Sequence, residues 1–324
     1  MKLAAPLVLA SPPDPERWDA LVARSPGASV FHTSAWARLW TDEWSGARWE
    51  ALVVEGDGRY EAGLGAIVRQ RGPLRTVDAM PFATYGGPLV REDHPDPSGL
   101  TAALLDGFAT WIGGAFVLRA SLAWYEGDRD AFPENLTPVD SFTHIVSLSS
   151  EYEEVASRFT PSTRRLVRQA DESGLAIEVA DSLEKIGTFY ELATETIRRR
   201  GGTPKPRSLY DRIFTDLVSK GLGRYHLVRH GSEAVAGSLH FFHEGVATNW
   251  LPVSREAAWP LRPNNFLVAS LLETLCASGY HEYNFGSSPA DAAGLIRYKE
   301  GWGARRHPVL IAGRRSGLHR HLRP

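Results

Sequence analysis

Apolar and polar residues alternate along two stretches of the chain that resemble each other. The first runs from Arg48-Trp-Glu-Ala-Leu-Val-Val-Glu-Gly56 to Gln70, the second from Arg224-Tyr-His-Leu-Val-Arg-His-Gly231 to His243. Each reads as a strand, a Gly-containing turn and a second strand. In both, the second strand opens with Ala-Gly (Ala62-Gly63 and Ala236-Gly237), and the two glycines stand 174 residues apart. That is the spacing of a duplicated domain rather than of a solenoid. A glycine inside a strand marks a bulge or the close approach of another backbone. Around the first hairpin the pattern predicts an N-terminal strand, a Pro-started helix, a strand over 74–79, a loop over 81–88, a helix over 97–112 and a strand over 115–120. The second half predicts a helix over 151–172, a strand over 175–180 and two helices across 182–219. After the second hairpin come a strand over 246–253, a helix over 263–278, a strand over 281–286, a short helix over 291–300 and a final strand over 307–313. The helix over 263–278 is the most clearly marked, with Pro263 in its first turn, Leu267, Leu271 and Leu275 at i+4 spacing, and Gly279 as its stop. Elements in this order predict an α+β fold of two tandem domains, each a mixed β-sheet flanked by helices. The division falls near 140–150, giving domains 1–145 and 146–324, where a β-like stretch (Ser141-Phe-Thr-His-Ile-Val) leads into the acidic helix start Glu151-Tyr-Glu-Glu.

A chain of 324 residues with 43% hydrophobic and 23% charged residues is long enough for two globular domains. A formal net charge of −2 excludes binding to nucleic acid by bulk positive charge, so a phosphate-bearing partner must be met by local patches. The single cysteine, Cys276, excludes an intrachain disulfide and reads as a buried structural thiol in a Leu-rich helix. The apolar run at the N-terminus is short, is interrupted by Pro6 and leads into Pro12-Pro-Asp-Pro-Glu-Arg-Trp. It reads as a first strand rather than a signal peptide. No apolar run approaches the roughly 20 residues that cross a bilayer. A cytoplasmic protein with no stable membrane insertion is expected, with a frayed basic tail from Arg314 to Arg323.

The densest chemical signal lies in His281-Glu-Tyr-Asn-Phe-Gly286-Ser-Ser and Gly294-Leu-Ile-Arg-Tyr298-Lys299-Glu-Gly-Trp302-Gly303. A Lys beside an aromatic on a short helix can deliver a fixed positive charge into a cleft, where it would stabilise the oxyanion of an acyl transfer. The plainer reading of a lone Lys is a solvated surface residue. Arg164 and Arg168 share a helical face, with Arg165 flanking, and their guanidinium forks suit phosphate oxygens. The alternative is a solvated basic face paired with Asp171 and Glu172. Arg198, Arg199 and Arg200, with Lys205 and Arg207, form a second basic segment. A general base for an attacking amine would come from Glu244, His240, His243, Asp78, Tyr85 or Tyr298. The Gly/Pro-rich loop from Met80 to Pro88 carries Tyr85, whose ring is a candidate to line a substrate cleft. With no nucleophile elbow, HExxH or CxxC in the sequence, direct transfer without a covalent enzyme intermediate is the simpler expectation.

The series Asn284-Phe-Gly286 and Gly294-x-x-x-Tyr298-Lys299-x-x-Trp302-Gly303 resembles the C-terminal signature of the Fem-type (FemAB-like) acyltransferases. These are the peptidoglycan-bridge aminoacyltransferases and their relatives, a branch of the GNAT superfamily. Arg165-Leu-Val-Arg168-Gln-Ala, Trp18-Asp-x-Leu, Phe31-His-Thr-Ser-Ala-Trp36 and Tyr85-Gly-Gly-Pro88 extend the resemblance over residues 15–310. It implies two GNAT-like domains, the first on the acceptor side and the second carrying the Tyr-Lys pair. The implied activity moves an aminoacyl or other acyl group to an amine of a cell-wall or glycan-related, phosphate-linked acceptor. In it, Lys299 would stabilise the oxyanion, Tyr298 would shape the donor pocket, and Arg164, Arg165 and Arg168 would hold phosphate. GNAT enzymes cradle a donor pyrophosphate on a Gly-rich turn that opens a helix. The corresponding segment here, Arg262-Pro-Asn-Asn265-Phe, has no glycine, although Arg262 fits the leading basic position and Asn265 tolerates a turn. This favours aminoacyl-tRNA over acyl-CoA as donor, with no tightly bound cofactor and no metal. Asn284 departs from the Asp that the family often carries before Phe-Gly. Two alternatives stand beside this reading: an acetyl-CoA-dependent N-acetyltransferase of a sugar amine or small molecule, and a non-catalytic binder of phosphate-bearing ligands.

Overall fold

Both sequence hairpins form in the computed structural model, which describes residues 6–315, each one strand in from a sheet edge. In chain order the elements begin with β1 (Leu7–Ala10), α1 (Pro15–Val22), α2 (Ser34–Glu43), β2 (Ala47–Gly56), β3 (Arg59–Arg71), β4 (Leu74–Ala79), β5 (Leu89–Val90), α3 (Pro97–Ile112) and β6 (Val117–Tyr125). They continue with β7 (Val139–Ser147), α4 (Tyr152–Ser157), α5 (Pro161–Asp171), β8 (Leu175–Val179), α6 (Leu183–Arg199), α7 (Arg207–Asp216), β9 (Gly223–His230), β10 (Glu233–His243) and β11 (Val246–Ser254). Last come α8 (Pro263–Ala277), β12 (Glu282–Ser287), α9 (Ala293–Glu300) and β13 (Arg305–Arg315). Among the described residues no helix is long and apolar enough to cross a membrane.

The chain divides into two units. One ends at Phe142 and regains the chain from Pro308 on, and the other is Thr143–His307. The strand order is β1-β2-β3-β4-β6-β13 in the first, with β5 against β3, and β7-β12-β11-β10-β9-β8 in the second. Both are mixed strand sets flanked by helices, and in each an antiparallel run is interrupted by one parallel pair, β4–β6 or β11–β12, before a last antiparallel strand. The last strand departs from the 146–324 expectation. It pairs with β6 from Val309↔Tyr125 to Arg315↔Arg119 and so belongs to the first unit. Alternation marks a strand but does not name its partner. Residues 316–324 of the expected basic tail, and Met1–Ala5 of the N-terminal run, lie outside the described residues.

The duplicated glycines have a common cause. A Cβ on Gly63 would stand 2.7 Å from the Trp18 ring of α1, and one on Gly237 3.1 Å from the Phe189 ring of α6 and 2.5 Å from the His226 carbonyl oxygen. In each unit a helix thus presses an aromatic ring onto the hairpin where its second strand opens. The helix predicted over 151–172 is broken in two. Pro161 fits only a first turn, and the Thr160 hydroxyl caps that turn by accepting from the Thr163 N–H. Helix α8 runs as its spacing predicts and buries Leu267, Leu271 and Leu275, each worth about 1.5–3 kcal/mol. Cys276 is buried among Leu272, Tyr283 and Trp302.

The two parallel pairs differ. In the first unit β4 stays paired with β6 from Arg75↔Val117 to Ala79↔Leu122. The loop after β4 then lies along β6, with the Gly86 N–H donating to the Ala123 carbonyl. In the second unit the β11–β12 pairing stops at Thr248↔Asn284. Two residues later, at Trp250, β11 carries a bulge opposite Leu239/His240, which bends the strand. The opening left between β11 and β12 is where the candidate functional site lies.

Candidate functional site

The opening is a cavity of about 230 Å³ lined by Ser238 of β10, Asn249 and Pro252 of β11, Phe285 of β12, Asn264, Leu267 and Val268 of α8, Leu295, Tyr298 and Lys299 of α9, and Arg200. A second hollow of about 210 Å³ lies at the start of α8, lined by Trp259, Arg262, Pro263, Asn264, Asn265 and Tyr298. Asn264 and Tyr298 line both, so the two read as one groove that begins at Arg262 and ends at Lys299.

Lys299 is no solvated surface residue. It is 5% exposed, and its Nζ donates to the carbonyls of Gly286 at 2.7 Å and Ser287 at 3.0 Å, at the end of β12. Burial lowers its pKa from the ordinary 10.5 to about 8, so the ammonium persists at neutral pH at a cost in desolvation. The two carbonyls are aimed by the turn at Gly286, whose φ of 75° suits glycine. Asn284 fixes that turn. Its Oδ1 accepts from the Gly286 N–H at 2.8 Å and from the Thr143 hydroxyl at 2.6 Å. Asn284 is therefore an orienting residue.

Tyr298 is half-buried, rests against Phe285 and Trp302, and has its phenol pKa raised by burial. The Gly-Trp-Gly break after it packs Trp302 fully inside. A Cβ on Gly301 would meet the Thr163 hydroxyl at 2.6 Å, so the end of α9 lies directly on the start of α5.

The cavity floor is polar. The Ser238 hydroxyl donates to Asn249 Oδ1 at 2.9 Å, and Asn249 Nδ2 donates to the Tyr283 hydroxyl at 2.9 Å. Tyr283 lies 3.1 Å from His240 Nε2, which is also 3.4 Å from Ser238. Burial, and then neighbouring His226, hold the His240 pKa well below the usual histidine value, so its imidazole is neutral. Buried His144 of β7 is also held neutral, its pKa lowered to about 4 by burial and then by the Lys299 charge.

The remaining candidates are scattered over both units. Arg164 donates to the carbonyls of Ser157 and Phe159 and closes the α4–α5 break. Arg165 and Arg168 are exposed on α5. Arg262 lies in the groove with φ 57°, the left-handed conformation that a glycine would adopt without strain, and Asn265 is buried beside it. Of the second basic segment, Arg200 lines the cavity, Lys205 lies over the Trp250 ring, and Arg207 bonds Asp211 and the Leu183 carbonyl. Tyr85 belongs to the first unit, where it is buried against Phe31 and Tyr125. Among the base candidates His240 stands behind Ser238, Glu244 and His243 end the β10–β11 hairpin, and Asp78 lies in the first unit. Sequence reasoning missed Ser238, Asn249 and His144. The first two carried a signal, since each is a polar residue inside an otherwise apolar strand.

Residues 157–300, which contain the whole groove, match the family described as Acetyltransferase (GNAT) domain. The crystal structure of FemX superposes with a TM-score of 0.68 at 15% identity, covering 92% of this chain and 95% of that one. L-PGS from Bacillus licheniformis gives 0.60 at 17% identity over 95% and 94%, and a tandem GNAT protein from the clavulanic acid biosynthesis pathway gives 0.56 at 13% over 95% and 98%. No curated protein matches the sequence.

Proposed function

We propose that this chain, a FemAB-like acyltransferase of the GNAT superfamily, moves an aminoacyl or other acyl group from an activated ester to the amine of a cell-wall or glycan-related acceptor carried on phosphate. The observation that carries this reading is the buried Lys299 ammonium on the cavity wall. Two of its three N–H groups meet Gly286 and Ser287, which leaves the third for an oxygen in the cavity. In the reaction the acceptor nitrogen bonds to the acyl carbon and the carbonyl oxygen becomes an oxyanion. The third N–H of Lys299 stabilises that charge until the ester C–O bond breaks, and the proton released by the amine leaves with the departing oxygen. A donor of this kind is worth about 10²–10³ in rate. Tyr298, shared by both hollows, shapes the passage for the donor.

Aminoacyl-tRNA is the donor this reading favours, because no glycine opens α8 to admit a pyrophosphate. Acyl-CoA is the second reading, and it rests on one observation. Arg262 adopts the glycine-like left-handed turn at the start of α8 without being glycine. Thermal-shift binding of acetyl-CoA, CoA, a stable aminoacyl-tRNA mimic and a nucleotide-linked muropeptide separates the two. Stabilisation by the tRNA mimic or the muropeptide, with CoA silent, is expected. Stabilisation by CoA alone would overturn the Fem-type donor and acceptor. Retention of full transfer activity by Lys299→Met would overturn the role of the lysine.

A further inference from the structure

Two cations, Arg200 and Lys299, line the acyl-transfer cavity, and the mechanism above uses only the second. The rest of the lining is apolar or neutral. Among the described residues no Asp or Glu lines this hollow or the one at the start of α8. Lys299 is fixed on the carbonyls of Gly286 and Ser287. Arg200 stands at the exposed C-terminal end of α6, and among the described residues its guanidinium has no hydrogen bond or ion pair. The carboxylates near that helix end go to other arginines. Glu195 meets Arg199 at 3.8 Å and Arg255 at 3.9 Å, and Glu256 meets Arg199 at 4.0 Å. The hollow therefore carries a positive field with no counter-charge, and its apolar walls strengthen that field.

The carrier of the donor does not account for Arg200. The groove runs from Arg262 past Tyr298 to Lys299, so phosphates that enter with a carrier stay at the Arg262 end and the acyl group reaches the inner hollow. Arg200 lines the inner hollow alone. There Leu267, Val268, Phe285 and Leu295 offer an apolar wall to a carbon stem. A hollow of about 230 Å³ is about 8 Å across, and at an effective dielectric of about 20 two unit charges that far apart change an affinity roughly thirtyfold. An acyl group that ends in a cation is refused by this field, and one that ends in an anion is held.

We propose that Arg200 is a specificity residue of the cavity and that the transferred acyl group ends in a carboxylate on a short apolar stem, its carbonyl at Lys299 and its carboxylate at Arg200. This rests on the acyl-transfer reading and narrows it to acidic acyl groups. The donor C–O bond breaks and the C–N bond forms at the carbonyl, while the distal carboxylate stays ionised and takes no part. A guanidinium fork suits that carboxylate, because it offers two parallel N–H donors.

Ligand-observed NMR titration of the full chain at pH 7 tests this with monomethyl succinate, methyl butyrate and β-alanine methyl ester. On the same stem these end in carboxylate, methyl and ammonium. Monomethyl succinate is expected to bind at least about tenfold more tightly than methyl butyrate, and the β-alanine ester at least about tenfold more weakly. Arg200→Gln breaks no side-chain contact of the folded chain, and should bring monomethyl succinate to within about twofold of methyl butyrate while methyl butyrate binds as before. Lys299→Met should lift most of the penalty on the β-alanine ester relative to methyl butyrate, a result that binding at Arg200 outside the hollow would not give. Binding of none of the three esters, a carboxylate preference that is absent or that survives Arg200→Gln, or an ammonium penalty that is absent or that survives Lys299→Met would each overturn the proposal. No acyl group is transferred in this experiment, so these outcomes strike the specificity alone, and full transfer by Lys299→Met strikes the acyl-transfer reading itself.

Discussion

Replacing Lys299 with Met keeps most of the side-chain volume and removes the charge, so the substitution isolates the energetics of a buried ammonium. Lys299 is 5% exposed and its pKa drops from 10.5 to about 8 through burial. At about 1.4 kcal/mol per pKa unit, that drop corresponds to about 3 kcal/mol of folding free energy withheld while the lysine is charged. Its folded pKa lies below its unfolded one, so between about pH 8 and 10.5 the unfolded chain binds more protons and stability rises with pH. Below about pH 8 both states are protonated and the penalty is fully present. The substitution lifts the penalty but leaves the carbonyls of Gly286 and Ser287 without their donor, at about 1–3 kcal/mol. These effects nearly cancel at pH 7, so stability there is a poor readout and the slope with pH is a good one. Urea unfolding of wild type and Lys299→Met at pH 7, 8, 9 and 10 should show the wild type gaining up to about 3 kcal/mol relative to the variant across the upper interval. Transfer activity of the variant should fall by about 10²–10³ at pH 7, and the gap should narrow above about pH 8 as the wild-type ammonium loses its proton. Parallel stability curves for the two proteins would refute the argument, because they would mean that Lys299 is as well solvated folded as unfolded.

Other substitutions test other parts of the site and fold. Asn284→Leu strands the Thr143 hydroxyl and the Gly286 N–H, and should cost about 2–4 kcal/mol in chemical denaturation and lower activity with it; an unchanged midpoint would mean that the turn holds without the side chain. Gly237→Ala puts a methyl 2.5 Å from the His226 carbonyl oxygen and should destabilise by about 1–3 kcal/mol, read as a lower midpoint in urea; an unchanged midpoint would mean that the strands part freely. His144 and His226 are both held at about pH 4 in the fold, mainly by burial, so the unfolded chain takes up more protons between about pH 6.5 and 4. Stability should fall through that window by up to about 3 kcal/mol for each, and His144→Phe should flatten its share in an acid titration followed by circular dichroism.

Much of this protein is determined by its sequence alone. The duplicated hairpins, helix α8 with its Pro start and Gly stop, and the Tyr298-Lys299 pair before Gly-Trp-Gly are all set by local spacing, because alternation and i+4 periodicity report which face of an element is apolar. The two Ala-Gly strand openings belong with them, since a glycine inside a strand signals an approach even before the approaching ring is known. Periodicity is silent about which distant element covers that face, and there the tertiary structure decided. It brought Trp18 and Phe189 onto the two glycines, paired β13 with β6, and set Arg164 on the carbonyls at the α4–α5 break. It also buried Lys299 against two carbonyls that lie 12 and 13 residues earlier in the chain. The cavity depends on where the β11–β12 pairing ends and on the bulge at Trp250 two residues beyond, and no window of sequence encodes either by itself. A charged side chain becomes a chemical group through the solvent it loses, and only packing between remote segments removes that solvent.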